Sequence, residues 1–314
     1  MRLTIALLFL TTLNTYAGSV SIQMENDILY DSDSEYTHGT RIVWQSDYAP
    51  SHKAVSWMSD KIPFIASKES EYQWGLSLGQ NLNTPEDISI PAYIPGDRRY
   101  SAWLYGGIFF REDAKDHCDY LELDIGVVGP LAQGEEVQTW VHKEYGATTP
   151  MGWDNQIDNE FALQATCRRS WKYSYLNNSF QAIPHVGVAL GNVAINTSGG
   201  ATLRLGWYLP EDYGPVVITP SGVVDVPVFP VKSWSFYLFS GADVRAVYRN
   251  MFLDGNSFRN NGGVDKEWLV NDTYWGAFLG LDSWSLKWAY TYRSKEFEGV
   301  GGQKFGSLSL SYLF

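Results

Sequence analysis

The last ten residues of the chain, 305–314, alternate between apolar and small polar side chains. Leu308, Leu310, Tyr312 and Phe314 share one face of this segment, and Ser307, Ser309 and Ser311 share the other. Within a bilayer, only helices and closed β-barrels satisfy their own backbone hydrogen bonds, and a barrel strand needs roughly 9–11 residues with alternating faces. The segment therefore predicts a membrane β-strand. Because it ends on an aromatic residue, it is also similar to the terminal signal that the barrel-assembly machinery recognises, so we expect that machinery as a partner during biogenesis.

The amino terminus has the pattern of an export signal. Arg2 precedes an apolar run at 3–13, and Ala17 ends a motif of the kind that a signal peptidase accepts. We therefore expect 1–17 to be a signal peptide and 18–314 to be the mature domain. The apolar run is too short to cross a membrane as a helix, and no other stretch approaches the roughly 18 apolar residues that a spanning helix needs. Any spanning structure must therefore be β.

Composition and charge narrow the class of protein further. Aromatic residues make up 15% of the chain, with 13 Trp and 20 Tyr, which suits the two interfacial girdles of a barrel. The net charge of -12 argues against nucleic acid as a partner, and it means that binding an anionic lipid would need a local basic group or a metal. Cys118 and Cys167 would meet an oxidising compartment after export, but their spacing neither proves a disulfide nor forms a metal motif.

Alternation of apolar and polar residues marks about twelve candidate strands, an even number as bacterial barrels require. We place them near 18–28, 36–47, 71–82, 99–111, 117–129, 159–172, 179–191, 199–209, 233–249, 268–281, 283–294 and 303–314. The predicted fold class is all-β, a transmembrane antiparallel β-barrel in one domain, complete as a monomer. The connection 210–232 falls on the periplasmic side, where turns are usually short, and is either an unusual loop or a hidden strand.

The first outward connection places polar side chains on two neighbouring strands. Asn26 and Asp27 end the first predicted strand, and Thr37 begins the second. Extending the alternation of these strands points Asp27 and Thr37 toward the lumen at the outer rim. Barrel rims are polar in any case, so these residues alone indicate a rim rather than a site.

The connection after the fifth strand changes from a period of two to the period of a helix, over 134–145. Gln138 and His142 are one turn apart on a polar stripe. We expect a short helix in this extracellular loop that lies over the barrel mouth and points His142 at the wall. Histidine suits proton transfer near neutral pH, although a surface histidine on a packing helix fits the pattern equally well.

Five segments of the chain, read together, resemble one family. They are ENDILYDSDSEYTHGTRIVW at 25–44, GQNLNTPEDI at 79–88, GDRRYSAWLYGG at 96–107, GVVGPLAQGEEVQTWVHKEYGATTPMGWDNQ at 126–156 and NMFLDGNSF at 250–258. The chain resembles the outer-membrane lipid A deacylases, the LpxR-like barrels, over most of its mature length. Its Asn-Asp, Tyr-Thr-x-Gly and Gln-x-x-x-His elements occur in order, which makes the resemblance more specific than any single motif.

The resemblance implies a Ca²⁺-dependent esterase that removes the 3′-linked acyloxyacyl group from the lipid A of lipopolysaccharide, in the outer leaflet of the bacterial outer membrane. Carried over by matching position, Asn26 and Asp27 would contribute to the metal site. Thr37, Gln138 and His142 would be catalytic groups, with Thr37 a polar contact beside the metal and His142 the general base.

Two basic residues could assist recognition of a lipid phosphate. Arg98 and Arg99 lie next to each other in the segment GDRRYSAW. An ordinary role as rim arginines explains them equally well.

Two rival functions remain open on the sequence. The segment 75–79 fits the G-x-S-x-G pattern of serine hydrolases, and a nucleophilic Ser77 would make the protein a barrel phospholipase. That pattern has meaning only at a turn between a strand and a helix, whereas here it lies in an alternating strand. The second rival is a non-enzymatic barrel, such as a small pore, because a fold alone does not establish a function.

Overall fold

The computed structural model of the protein describes residues 18–26, 35–47, 70–214, 233–259 and 261–314, and the side chains of 35–37 lie outside this description. The strands are β1 Gly18–Asn26, β2 Glu35–Ser46, β3 Glu71–Thr84, β4 Ser101–Asp113, β5 His117–Val128, β6 Glu160–Trp171, β7 Tyr173–Tyr175, β8 Phe180–Gly191, β9 Ala194–Trp207, β10 Trp234–Asn250, β11 Leu269–Leu281, β12 Trp284–Arg293 and β13 Gln303–Leu313. Two helices, α1 Gly134–Tyr145 and α2 Met251–Asp254, lie at the end of the barrel opposite the start of β1 and the end of β13. We call this the extracellular end.

Twelve of the strands form a closed antiparallel barrel. Each of them pairs with its neighbours in the chain, and β1 pairs with β13. The ring passes directly from β6 to β8, while the three-residue β7 is attached only to β8. The predicted twelve-stranded antiparallel barrel and the helix at 134–145 are therefore confirmed. Among the described residues, no helix is long and apolar enough to cross a membrane.

The largest difference in strand position is at β9, which begins at Ala194 and not near 199. Thr197 and Gly199 are two successive outward positions in its first half, and neither has an apolar side chain to mark a lipid-facing row. The backbone pairing of β9 with β8 and β10 nevertheless continues through this region. The strand is fixed by its neighbours, which a local hydrophobic pattern does not reveal.

Ion pairs between inward-facing side chains fill much of the lumen. Arg41 pairs with the fully buried Glu122, and Asp272 accepts hydrogen bonds from two arginines. The Arg245 Nη1 atom lies 2.8 Å from Asp272 Oδ2, and the Arg293 Nε atom lies 2.9 Å from Asp272 Oδ1. All of these residues are nearly inaccessible to solvent. This packed interior gives no support to the small-pore hypothesis.

We expect Asp272→Ala to destabilise the barrel by about 3–5 kcal/mol, because it leaves two buried guanidinium groups without their carboxylate. Urea unfolding of the protein in detergent or lipid would measure the change. Asp116→Ala is the matched control, since the Asp116 carboxylate is largely exposed and pairs only with His117 in the described part of the chain. An equal loss of stability in the two variants would contradict the prediction.

The periplasmic end of the lumen is filled by the start of the connection between β9 and β10. Asp212 is buried and pairs with Arg204 on β9. Tyr213 packs with Cys118 and Ile183 in a small apolar cluster. The described part of the connection predicted at 210–232 therefore folds into the barrel, while 215–232 lie outside the described residues.

The two cysteines are not joined. Cys118 is buried and faces the lumen on β5, whereas Cys167 is exposed on the outside of β6. Because they point to opposite faces of the wall, a disulfide between them would require the strand pairing to break.

The extracellular end of the lumen is occupied by α2. Met251 and Phe252 of this short helix are buried against Trp103, Tyr105 and Val128, which face inward from β4 and β5. Because α2 fills this end of the lumen, α1 cannot occupy it as the predicted lid.

Candidate functional site

Helix α1 packs against the outer face of the barrel wall. Gly134 approaches β4 so closely that a Cβ atom there would lie 2.6 Å from the Cβ of Ala102. Ala102 shares its face of β4 with Ile108, which is 37% exposed on the lipid side, whereas Trp103 points into the lumen and is 0% exposed. The helix therefore lies on the membrane side of the wall.

A second contact beside the helix confirms this placement. The Gln80 side chain donates to the carbonyl oxygen of Ala132 over 2.6 Å. Gln80 shares its face of β3 with Leu78, an exposed residue of the lipid-facing surface. The expectation that α1 would cover the barrel mouth is thus wrong, because α2 fills the mouth and α1 is left to pack outside.

The polar stripe of α1 faces the wall and part of its apolar stripe faces outward. Gly134, Gln138 and His142 are the buried residues of the helix. Trp140 and Tyr145 are 64% and 80% exposed. In water this orientation would be unfavourable, but beside a membrane the outward side of the helix meets the interfacial region, where aromatic side chains are favoured.

His142 is held by the turn that ends the helix. Gly146 adopts a left-handed conformation (φ 68°), and the Ala147 N–H donates to the His142 carbonyl over 2.9 Å. This turn brings the carbonyl oxygen of Thr148 to 2.5 Å from Nδ1 of the imidazole. A carbonyl oxygen can only accept, so Nδ1 carries the proton and Nε2 is the basic nitrogen of the neutral ring.

Gln138 lies one turn before His142 on the same buried face. Its Oε1 atom accepts a hydrogen bond of 2.8 Å from the indole N–H of Trp153. Its Nε2 atom is buried and has no hydrogen-bond partner among the described residues. Such a buried, unpaired donor is costly unless another group completes it, so Gln138 Nε2 is available to a bound molecule.

Asn26 belongs to the same row of outward positions as the residues beneath α1. It pairs with His38, which pairs with Leu82, which in turn pairs with Ala102. Directly opposed residues in antiparallel strands project to the same face of a sheet. Thr40 is the next outward residue of β2, and its hydroxyl lies 2.6 Å from Nε2 of His38. Thr40 in turn pairs with Gln80 beside the helix, so polar side chains connect the edge of α1 to the end of β1.

Two of the predicted site residues, Asp27 and Thr37, have side chains outside the described part of the structure. Asp27 follows Asn26 directly but lies outside the described residues. Thr37 is in β2, where a bulge between Tyr36 and His38 interrupts the register. The predicted direction of Thr37 depended on unbroken alternation, and its side chain is outside the described part. Among the described residues, no three His, Cys, Asp or Glu side chains are arranged to hold a metal ion.

Arg98 is a buried residue in an ion pair. Its Nη2 atom lies 3.0 Å from Oε2 of Glu296. Burial opposes ionisation of Glu296, but Arg293 and Arg98 together hold the pKa of that carboxyl below its ordinary value. Contact between Arg98 and a lipid phosphate would require this pair to open, so its predicted role in substrate binding is not favoured by the geometry.

Arg99 differs from Arg98 in having no carboxylate partner among the described residues. It donates to the backbone carbonyls of Asn261 and Asn155, over 2.6 and 3.2 Å, and its guanidinium lies 4.3 Å from the centre of the Tyr93 ring. Its positive charge is not neutralised by these contacts. Phosphate recognition by Arg99 stays a prediction.

Ser77 lies in the middle of β3 and faces the lumen. Its hydroxyl donates to Oε1 of Glu122 over 3.0 Å, and the strand continues unbroken on both sides. A nucleophile elbow needs a sharp turn from a strand into a helix. The serine is therefore part of the polar packing inside the barrel.

Two residues that shape the site, Thr148 and Trp153, were not predicted from the sequence. Thr148 contributes only a backbone carbonyl, so no property of its side chain marks it. Trp153 lies in a short 3₁₀ turn, Trp153–Asn155, in a loop without periodicity. Only the buried position of the ring, 2% exposed, distinguishes it from the many interfacial tryptophans of the chain.

Comparisons with known proteins show which family this barrel belongs to. The model of the family described as "Outer membrane protein LpxR" matches residues 3–314. The chain belongs to the LpxR family. A solved structure of LpxR from Salmonella typhimurium is 22% identical, with a TM-score of 0.78, covering 94% of this chain and 100% of that one. This likeness shows the fold, and membership of the family shows that this LpxR-family chain is an outer-membrane protein.

Other solved barrels resemble the LpxR-family chain less. The β domain of the Bordetella autotransporter BrkA is 12% identical with a TM-score of 0.46, covering 95% of this chain and 98% of that one. The translocator domain of NalP from Neisseria meningitidis is 10% identical with a TM-score of 0.42, covering 95% and 88%. At these scores neither carries an argument about function. No curated protein matches the chain.

Proposed function

We propose that the protein is an outer-membrane lipid A deacylase, a Ca²⁺-dependent esterase that removes the 3′-linked acyloxyacyl group. One observation carries the proposal: the buried face of α1 presents Gln138 and His142 to the outer side of the wall at the extracellular end. This position lies outside the barrel, on the side of the wall that a lipid of the outer leaflet contacts. Membership of the LpxR family supports lipid A as the substrate.

His142 is the proposed general base. Its Nδ1–H donates to the Thr148 carbonyl, which fixes the ring orientation and makes Nε2 the basic nitrogen that takes a proton from water. The activated water attacks the ester carbonyl, and the imidazolium then returns the proton to the leaving oxygen. This is the same division of roles between the two ring nitrogens that other histidine bases use.

Gln138 is the proposed hydrogen-bond donor to the ester. Its Nε2 atom is buried, unpaired in the described structure and on the same helix face as His142. Donors that are already oriented toward a developing oxyanion stabilise the transition state more than the substrate, because they need no reorganisation.

Asn26 and Asp27 are the proposed ligands of the cation. Amide and carboxylate oxygens are the hard donors that Ca²⁺ prefers, and Asn26 lies on the outward row that leads to α1. When bound, Ca²⁺ would polarise the ester carbonyl.

The proposal is tested by mass spectrometry of lipid A. Cells that express the full chain in the presence of Ca²⁺ should contain lipid A that lacks the 3′-linked acyloxyacyl group, and cells with an empty vector should not. An unchanged acyl pattern, in cells where the folded barrel is present in the outer membrane, would overturn it.

The serine phospholipase is the rival hypothesis with a defined residue. We expect Ser77→Ala to retain full deacylase activity within about twofold, because this hydroxyl only donates to Glu122 inside the barrel. The same lipid A assay measures it, together with treatment by a serine-directed inhibitor. Loss of activity with either, in a protein that is still folded, would favour the serine mechanism.

A further inference from the structure

We infer that Trp153 is a positioning residue that fixes which end of the Gln138 amide faces the substrate. The inference rests on the proposed function and goes beyond it, because Trp153 itself would touch neither the ester nor the cation. The relevant observation is a hydrogen bond of 2.8 Å from Trp153 Nε1 to Gln138 Oε1.

The indole N–H is a donor and cannot accept, so it selects one of the two orientations of the amide. With Oε1 held by the indole, Nε2 must point away from Trp153. That atom is buried and without a hydrogen-bond partner among the described residues, in a side chain only 2% exposed. The indole therefore leaves a donor, and not an acceptor, directed at the space that we assign to the ester.

Trp153 is rigid enough to impose this choice. The ring is 2% exposed, and its centre lies 4.9 Å from the centre of the Tyr100 ring. Tyr100 is itself tied down by a hydrogen bond of 3.1 Å to the carbonyl oxygen of Ile88. On the other side, Gly134 approaches the indole so closely that a Cβ there would lie 2.5 Å from it. The indole is thus confined between the loop and the first turn of α1.

Without the indole, both amide orientations become accessible. The terminal torsion of glutamine is broad and roughly two-fold, so rotation that exchanges oxygen and nitrogen has little intrinsic cost. The exchanged amide would present its oxygen to a developing negative charge, which repels where the donor stabilises. If the two orientations have similar free energies, about half of the molecules keep the donor in place, and in those the amide is no longer held. We therefore expect kcat to fall by about 2- to 10-fold, well below the 10²–10³ that complete loss of an oxyanion donor costs.

The test uses Trp153→Phe in the purified full-length protein, with lipopolysaccharide and Ca²⁺. Release of acyl groups is followed by mass spectrometry, and folding is checked by the heat-dependent shift in gel mobility. We expect kcat to fall by about 2- to 10-fold with little change in KM. Trp103→Phe is the matched control, because its buried indole nitrogen has no hydrogen-bond partner in the described structure, and it should retain the wild-type kcat.

A double mutant separates positioning from packing. In a Gln138→Ala background the Trp153→Phe change should have no further effect on kcat, since no amide remains to be oriented. Fully additive losses, or a Trp153→Phe variant with wild-type kcat, would overturn the inference while leaving the deacylase proposal intact. An inactive wild-type protein would instead overturn the proposal.

A second variant keeps the test decisive if Trp153→Phe does not fold. Benzothienylalanine at position 153, introduced by nonsense suppression, keeps the bicyclic shape and replaces only the N–H by sulfur. It should fold as the wild type does and show the same fall in kcat. Wild-type kcat in this variant would also refute the positioning role.

Discussion

Replacement of His142 by alanine is expected to lower the rate of lipid A deacylation by about 10²–10⁴-fold, the usual contribution of a general base. The loss should appear in kcat, because the imidazole acts on the attacking water and not on the lipid. His142 is buried on the outer side of the wall and is held by a backbone carbonyl, so the barrel itself does not depend on it. Mass spectrometry of lipid A from cells expressing each variant measures the effect.

His117→Ala is the control for this experiment. His117 lies at the periplasmic end, where it contacts Asp116 and Asp119, far along the barrel from α1. It should leave the acyl pattern of lipid A unchanged. A His142→Ala protein that is folded and as active as the His117→Ala protein would contradict the assignment of the base.

The barrel was predictable because its determinants are local. A strand such as β13 carries its own alternation, with Leu308 and Leu310 outward and Ser309 inward, and membrane burial makes that pattern strict. Where the outward residues are small or polar, as at Thr197 in β9, the pattern fades while the pairing continues. The sequence therefore predicts strands well where lipid selects their side chains, and less well where only neighbouring strands do.

The position of α1 was not predictable in the same way. Its period correctly placed Gln138 and His142 on one face, but which surface that face meets depends on tertiary structure. The mouth is occupied by Met251 and Phe252, far away in the chain. The exposed Trp140 would have suggested burial in a water-soluble protein, whereas here the lipid interface takes that role. A local pattern predicts which residues share a face of a helix, but it does not predict which surface that face contacts.

Polar side chains inside the barrel contribute to its stability, whereas those on the outer side of the wall form the proposed site. Inside, carboxylates such as Asp272 and Glu122 form ion pairs with buried arginines. Outside, the Gln138 amide has a donor without a partner in the described structure, beside a lipid-facing surface. Unpaired buried groups also occur inside the lumen, as at Trp103 Nε1, but the Gln138 donor differs from them in lying on the outer side of the wall, where a lipid can be the partner.

Removal of Ca²⁺ is the second change from which we expect a large effect. Chelation by EGTA should lower deacylation by about 10²–10³-fold, as loss of an oxyanion-stabilising group does, and added Ca²⁺ should restore it. Mg²⁺ should restore it poorly, because Mg²⁺ demands a small octahedral site and gives up water reluctantly. The Ca²⁺ concentration that gives half-maximal activity is the quantity to measure.

Variants at the proposed ligands distinguish a bound cation from a general effect of calcium on the membrane. Asn26→Ala should raise the half-maximal Ca²⁺ concentration and leave activity at saturating Ca²⁺ partly intact, while Asp27→Ala should abolish the response. Wild-type protein should unfold at a higher temperature with Ca²⁺ than without it, since a ligand of the folded state stabilises it. Asp87→Ala is the control, because Asp87 lies in another extracellular connection and bonds only to Ser89 in the described structure. If EGTA-treated protein deacylated lipid A at the full rate, or if Asp27→Ala and Asp87→Ala responded to Ca²⁺ alike, these two residues would not be the site of a required cation.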